Sequence, residues 1–300
     1  DPYVAFTDYF EGLKSVLKEM MIPLKGRQIA AKIWHAEKGI PTLALHGWLD
    51  NAASFDHIAP LLPELHIVAL DLPGHGHSDH QPPGTSIHFI DFATTAIEVA
   101  NYLGWDKFAL LGHSLGACIH SVIAGTLTSR IQWLGLIDGL GPLTTPAEHT
   151  PLQFRLFIDE MIAKPNKMPP SYPTQEDAML ARLKVSAMHP SSAKVLIERG
   201  TKQLPDGQWT WRTDPRLLMP SPLHLTEEQA LAFLSAITAP VCVIRPEPGY
   251  PFPLQIMQRR IKALQDVQVF RIQGDHHVHL DAPLAVAECI KNFLTHIIVK

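Results

Sequence analysis

The stretch Phe108-Ala109-Leu110-Leu111-Gly112-His113-Ser114-Leu115-Gly116 decides the fold. Its first half is a continuous apolar run, the pattern of a strand buried on both faces of a parallel sheet. Its second half reads G-x-S-x-G and leads into a helix-like stretch, Leu115–Leu127. A strand that turns straight into a helix crowds two backbones together, and glycines at the flanking positions remove the Cβ atoms that would collide. Such a turn holds its serine in a strained conformation with the hydroxyl projecting above the sheet. Backbone N–H groups and the positive end of the helix dipole then lie where an oxyanion would develop. Ser114 is the candidate nucleophile. The plainer alternative is a serine that only fills a tight strand-to-helix turn.

Outward from this stretch, short β-rich runs alternate with helix-like ones, which predicts a mostly parallel, doubly wound sheet covered by helices. The predicted strands are Gln28–His35, Thr42–His46, His66–Asp71, Phe108–Gly112 and Ile131–Asp138, with helices at Ile90–Leu103 and Leu115–Leu127. After Asp138 the texture changes, because 12 of the 26 prolines fall between Pro142 and Pro222. That region carries helical spacings (Leu152, Leu156, Phe157, Met161, Ile162, then Leu180, Leu183, Ala187) and no strong strand. Alternation resumes with Val241–Ile244, Leu254–Leu264, Val267–Ile272 and Pro283–Ile298. The expected organisation is an α/β core over residues 1–141 and 237–300 with a helical cap inserted over 142–236.

Composition bounds the function. The 300 residues are 46% apolar and only 18% charged, with a net charge of −4. This excludes a disordered chain and argues against a nucleic-acid partner, which would need a broad basic surface. No apolar run approaches the roughly 18 residues needed to span a bilayer. The opening residues, Asp1 to Phe10, carry neither a basic start nor an apolar signal core. Cys118, Cys242 and Cys289 lie far apart without C-x-x-C spacing, so no disulfide framework or cysteine metal knuckle is expected. These features predict a soluble, cytoplasmic protein.

Four motifs together resemble the α/β-hydrolase fold superfamily, from about Gln28 to the carboxyl end. They are His46-Gly47-Trp48, Asp71-Leu72-Pro73-Gly74-His75-Gly76-His77-Ser78, the serine turn, and Gly274-Asp275-His276-His277-Val278-His279-Leu280-Asp281-Ala282-Pro283. The resemblance implies an oxyanion hole made by the N–H groups of Trp48 and Leu115, and a lid-like role for the insert. It also implies that halide displacement is disfavoured, because the dehalogenase and epoxide hydrolase relatives use an aspartate where this chain has Ser114.

A serine hydroxyl needs a general base with a pKa near working pH, which points to a late histidine. Counting back from His279 in the family pattern gives His276, with His277 as the alternative. The family's usual acid position, after the seventh strand, holds Gly249 here. Some members carry the acid after strand six instead, where Asp138 stands, and Glu247 is the other candidate. A carboxylate there would fix the imidazole tautomer and stabilise the imidazolium. Asp71 has a plainer explanation, since a carboxylate opening a Gly-rich loop accepts backbone N–H bonds.

His75-Gly76-His77-Ser78-Asp79-His80 also reads H-x-H-x-D-H, which resembles the metal motif of the metallo-β-lactamase superfamily. A Zn²⁺-bound water would then be the nucleophile. That reading leaves the serine turn, His46-Gly47-Trp48 and the late histidine unexplained, so the site is expected to need no metal or cofactor, with adventitious binding at His75, His77 and His80 still open. His46, His113, Trp48, Phe154, Phe157, Met161 and Leu183 are candidate pocket residues, although for any one of Trp48, Phe154, Phe157, Met161 and Leu183 the plainer reading is packing of cap against core. The expected activity is hydrolysis of a small ester with an apolar acyl or aryl group through an acyl-enzyme. Thioester, lactone, amide and carbon–carbon bond hydrolysis remain alternatives on the same residues. A ligand-binding protein with little turnover is the alternative of another class.

Overall fold

The computed structural model describes residues 17–36, 38–164 and 167–298, and the opening segment Asp1 to Phe10 lies outside them. Strands β1 (Lys18–Leu24), β2 (Arg27–Trp34), β3 (Ile40–Leu45), β4 (Leu65–Leu70), β5 (Phe108–His113), β6 (Ile131–Ile137), β10 (Val241–Pro248) and β11 (Val267–Gly274) form one eight-stranded sheet. Their order is β1-β2-β4-β3-β5-β6-β10-β11. The β1–β2 and β2–β4 pairs are antiparallel and the remaining pairs parallel. The central strand β5 is buried along its whole length, which is why its sequence does not alternate. The bounds of the predicted strands lie within two residues of observed ones, except that the strand begun at Val241 runs on to Pro248. The edge strand β1, mostly exposed, had no apolar pattern to announce it.

Helices cover both faces. On one side α1 (Phe89–Tyr102) turns Phe92, Ala93, Ala96, Val99 and Ala100 inward, at helical spacing, against Leu43, Leu45 and Leu110. Its first turn is closed by Asp91, which accepts the His88 N–H. The same layer holds α2 (Leu115–Thr126), α6 (Glu227–Ala236) and α7 (Leu254–Ala263). On the other face, Phe55, Ile58, Trp133, Ile290 and Phe293 join α8 (Pro283–Ile298) and the turns at 52–62 to Ala44, Ala109 and Leu111. Neighbouring residues of one strand thus feed opposite cores, as a doubly wound sheet requires.

The insert contains α3 (Thr150–Ala163), α4 (Gln175–Val185) and α5 (Pro190–Gly200). It also contains three short strands, β7 (Ser171–Tyr172), β8 (Thr201–Gln203) and β9 (Trp209–Trp211), paired antiparallel in the order β7-β9-β8. The sequence shows no strong strand in this region. Strands of two or three residues leave no alternation to read, although Asp206-Gly207, with Gly207 at φ +86°, is a hairpin turn signal.

The last helix of the expected insert, over 227–236, sits against the core. Helix α6 packs on α2 so closely that a Cβ on Gly125 would strike the Phe233 carbonyl. It therefore belongs to the layer on the sheet, and residues 142–226 make up the segment we propose as the cap. Contacts from that segment fall on the loops after β3, β4 and β11. Trp48 Nε1 donates to the Leu217 carbonyl, Asp214 N–H to the Gly74 carbonyl, and Asn51 Nδ2 to the Leu196 carbonyl. These loops lie at the carboxyl ends of parallel strands, where open α/β sheets place their sites.

Candidate active site

Ser114 sits between β5 and α2 at φ +52° and ψ −114°, a conformation L-residues rarely adopt. The glycines around it are required by close approach. A Cβ on Gly112 would stand 2.6 Å from the Ala117 nitrogen, and one on Gly116 would overlap the Leu45 carbonyl oxygen. A Cβ on Gly47 would lie 3.2 Å from the Ser114 Cβ, so the His46-Gly47-Trp48 loop lies directly against the serine.

His276 follows β11. Its Nε2 accepts from Ser114 Oγ at 2.9 Å, while Nδ1–H donates to Asp138 Oδ2 at 2.6 Å. Asp138 ends β6 at φ +46° and also accepts the Tyr250 N–H at 2.8 Å. The three side chains thus form one hydrogen-bonded line from the end of β5 through the end of β11 to the end of β6. His276 is half-shielded, with the Tyr250 ring 5.2 Å from its own.

The remaining candidates take other places. His277 turns away from Ser114 and donates from Nε2 to Asp50 Oδ2 at 2.8 Å. Glu247 is exposed and pairs with Arg271 at 3.2 Å. His46 and His113, expected in the pocket, are both fully buried. His46 donates from Nδ1 to the Gly47 carbonyl and accepts the Leu72 N–H at Nε2, tying the loops after β3 and β4 together. His113 donates from Nε2 to the His276 carbonyl at 2.7 Å. Burial, reinforced by the neighbouring rings of His279, His276 and His277, pushes the His113 pKa well below the ordinary histidine value. Phe157 is buried and stacks on Phe154 at 6.2 Å, whereas Phe154 and Met161 are about half exposed, at 51% and 43%. Trp48 is 52% exposed, and Leu183 is partly buried.

The H-x-H-x-D-H segment is spent on loop structure. His75 donates from Nδ1 to the Pro73 carbonyl and accepts the Leu49 N–H at Nε2. Asp79 accepts the Gln28 N–H, and His80 donates to the Arg212 carbonyl. Asp71 accepts the Ala52 and His77 N–H groups and pairs with Arg199. Among the described residues a different group, Asp50, His113 and His277, brings three ligand atoms within 4.8 Å of one another. Its carboxylate is already shared between His277 and Arg182, at 2.8 and 2.7 Å. Burial opposes ionisation of Asp50, but its contacts with His277 and Arg182 outweigh it and hold the carboxyl well below the usual carboxylate range. Sequence reasoning did not single out Asp50 or Arg182. They meet across 132 positions of chain, and no local pattern encodes such a pair.

A serine at a strained strand-to-helix turn, above a doubly wound sheet, defines the class as the α/β hydrolases. The α/β-hydrolase fold family model matches residues 41–163. A serine hydrolase-like protein of Danio rerio is 30% identical over 94% of this chain and 90% of its own length. Serine hydrolase-like protein 2 of Homo sapiens is 30% identical over 94% of this chain and 96% of its own. The crystal structure of a hypothetical protein from Pseudomonas aeruginosa PAO1 is 40% identical, with a TM-score of 0.87 over 93% of this chain and 98% of that one. The chain belongs to the α/β-hydrolase fold family and is a hydrolase of that class.

Proposed function

We propose that this hydrolase cleaves small carboxylic esters through a covalent acyl-enzyme on Ser114. The observation that carries the reading is the pair of hydrogen bonds that join Ser114 Oγ to His276 and His276 to Asp138, at 2.9 and 2.6 Å. Ser114 Oγ attacks the carbonyl carbon while its proton passes to His276 Nε2. Asp138 holds Nδ1–H, fixing the tautomer and stabilising the imidazolium. The oxyanion is received by the N–H groups of Leu115, at the start of α2, and of Trp48, whose preceding glycine lies against the serine. Collapse expels the alcohol, which takes the proton from His276. A water activated by the same imidazole then releases the acid.

The acyl or aryl group is apolar. This rests on α3, which carries Leu152, Phe154, Leu156, Phe157 and Met161 on the proposed cap. The three cysteines are buried and unpaired, which accords with a reducing, cytoplasmic setting. Among the described residues no helix is long and apolar enough to cross a membrane.

The test is the intact mass of the protein after reaction with a fluorophosphonate, with and without EDTA, beside Ser114→Ala. One adduct, lost in the variant and unchanged by EDTA, is the expected result. A folded protein that takes no adduct yet hydrolyses p-nitrophenyl esters in an EDTA-sensitive manner would overturn the reading. A protein without turnover that still holds ligand would be a binder. Because acyl transfer to serine also serves thioesters and lactones, both belong in the substrate screen.

A further inference from the structure

Asp50 joins three parts of the molecule that the proposed reaction needs in register. It closes the turn that presents Trp48, its N–H donating to the Gly47 carbonyl at 3.1 Å, with Leu49 at φ +64° inside the turn. Its Oδ2 accepts from Nε2 of His277, the residue next to the proposed base, at 2.8 Å. Its Oδ1 accepts from Arg182 of α4 at 2.7 Å. Four residues on, at the end of α4, Ser186 Oγ reaches His277 Nδ1 at 3.3 Å, so one face of a single helix touches both partners. His276 is held from behind as well, by the bond from His113 Nε2 to its carbonyl. The other His113 nitrogen, Nδ1, is buried without a hydrogen-bond partner among the described residues and stands 4.0 Å from Asp50 Oδ2.

This arrangement is costly unless it serves a purpose. Asp50 is 3% exposed, and a buried carboxylate must have both oxygens satisfied. One is satisfied from the sheet's own loop and the other only from the proposed cap. With the cap displaced, Oδ1 would lose its cationic partner, and the Trp48 turn and the His277 turn would lose their common anchor. Hydrolysis by a serine needs its base and oxyanion donors placed to within a fraction of an ångström, and misplacement by about 1 Å can cost about a hundredfold in rate.

We propose that Asp50 and Arg182 are positioning residues: Arg182 clamps Asp50 from the cap, and Asp50 aligns the His276 turn and the Trp48 turn against Ser114. The proposal rests on the serine-hydrolase reading above. Coupling through this clamp makes the site complete only while α4 is seated, so the cap controls the reactivity of Ser114 as well as access to it.

The experiment compares the parent with Arg182→Ala, Arg182→Lys, Asp50→Asn and, as a control on the same insert, Arg155→Ala, whose exposed side chain pairs with Asp159. Each folded variant, verified by thermal melting, is assayed for the second-order rate of fluorophosphonate labelling at Ser114 and for kcat and KM on a p-nitrophenyl ester. Arg182→Ala and Asp50→Asn are expected to lower labelling and kcat together by about 10- to 100-fold, with KM changed less than about threefold. Arg182→Lys should recover a substantial part of that loss. A parent-like labelling rate in Arg182→Ala, whatever its melting temperature, would overturn the clamp, and so would a rise in KM alone, which would make Arg182 a substrate contact. Asp50→Asn guards against a folding defect in the other variant, because it keeps the shape and removes only the charge. If the parent is labelled at Ser114, failure of the clamp leaves the serine reading standing. An unlabelled parent overturns both.

Discussion

Gly249 leaves open the space that the Asp138 carboxylate occupies: a Cβ at 249 would stand 3.1 Å from Asp138 Oδ2 and 2.6 Å from the Pro246 carbonyl oxygen. The ends of β6 and β10 therefore converge on one point beside His276. In this chain β6 fills it and β10 keeps clear, contributing only the Tyr250 N–H.

Asp138→Asn is expected to lower kcat by about 10⁴-fold, because an amide in that place favours the wrong imidazole tautomer. Glu247→Gln should stay within about twofold, since its carboxylate is a solvent-exposed partner of Arg271. Steady-state ester hydrolysis reads both. Comparable losses in the two variants would contradict the proposed line of residues.

Ser114→Gly should abolish turnover and yet raise stability. At φ +52° and ψ −114° the serine carries backbone strain that glycine does not, on the order of 1–3 kcal/mol. Urea denaturation of the two proteins measures the difference. A glycine variant less stable than the parent would mean the lost bond to His276 outweighs the strain.

Acid should destabilise the protein through its buried histidines. Burial brings the pKa of His120 down to about 3, against the opposing carbonyls of Leu111 and Leu43, and burial with the neighbouring His46 ring brings His75 to about 3. Between the unfolded value near 6.5 and the folded value the unfolded chain binds the extra proton, so this stability is intact above pH 6.5 and is lost as the pH falls toward 3. Each such group contributes a slope of about 1.4 kcal/mol per pH unit. Urea titrations from pH 7 to 4 should give His120→Gln a slope shallower by about that amount, and an unchanged slope would show that His120 does not titrate this way.

The proposed cap is tied down by a buried ion pair. Arg199 on α5 contacts Asp71 at 2.9 Å and Glu19 at 2.8 Å, with Arg199 and Asp71 both buried. Arg199→Ala should cost about 3–5 kcal/mol, because it strands the Asp71 charge. Denaturant midpoints report it, and a change within about 1 kcal/mol would place the anchoring elsewhere.

Periodicity and local chemistry are properties of neighbouring residues, and what depended on them was readable along the chain. The unbroken apolar run of β5, the inward face of α1, and the glycines flanking Ser114 each announce a buried strand, an amphipathic helix and a crowded turn. The loop Asp71 to Ser78 was legible too, since Gly76 must lie against the Asp71 carboxylate for the turn to close. The same one-dimensional view left His276 beside His277, and Asp138 beside Glu247, because a turn's direction depends on what it packs against.

Only the tertiary structure shows which of these side chains stand beside Ser114. Asp138, which also accepts the Tyr250 N–H, meets His276, whereas His277 points to Asp50. The assignment of α6 to the sheet layer, the burial of His46 and His113, and the reach of Arg182 to Asp50 were likewise settled by contacts between residues distant in sequence. Sequence by itself determined that a strained serine would stand on a doubly wound sheet, because sterics and burial act locally. Which charges face that serine was decided by where separate strand ends meet, and that meeting exists only once the sheet is formed.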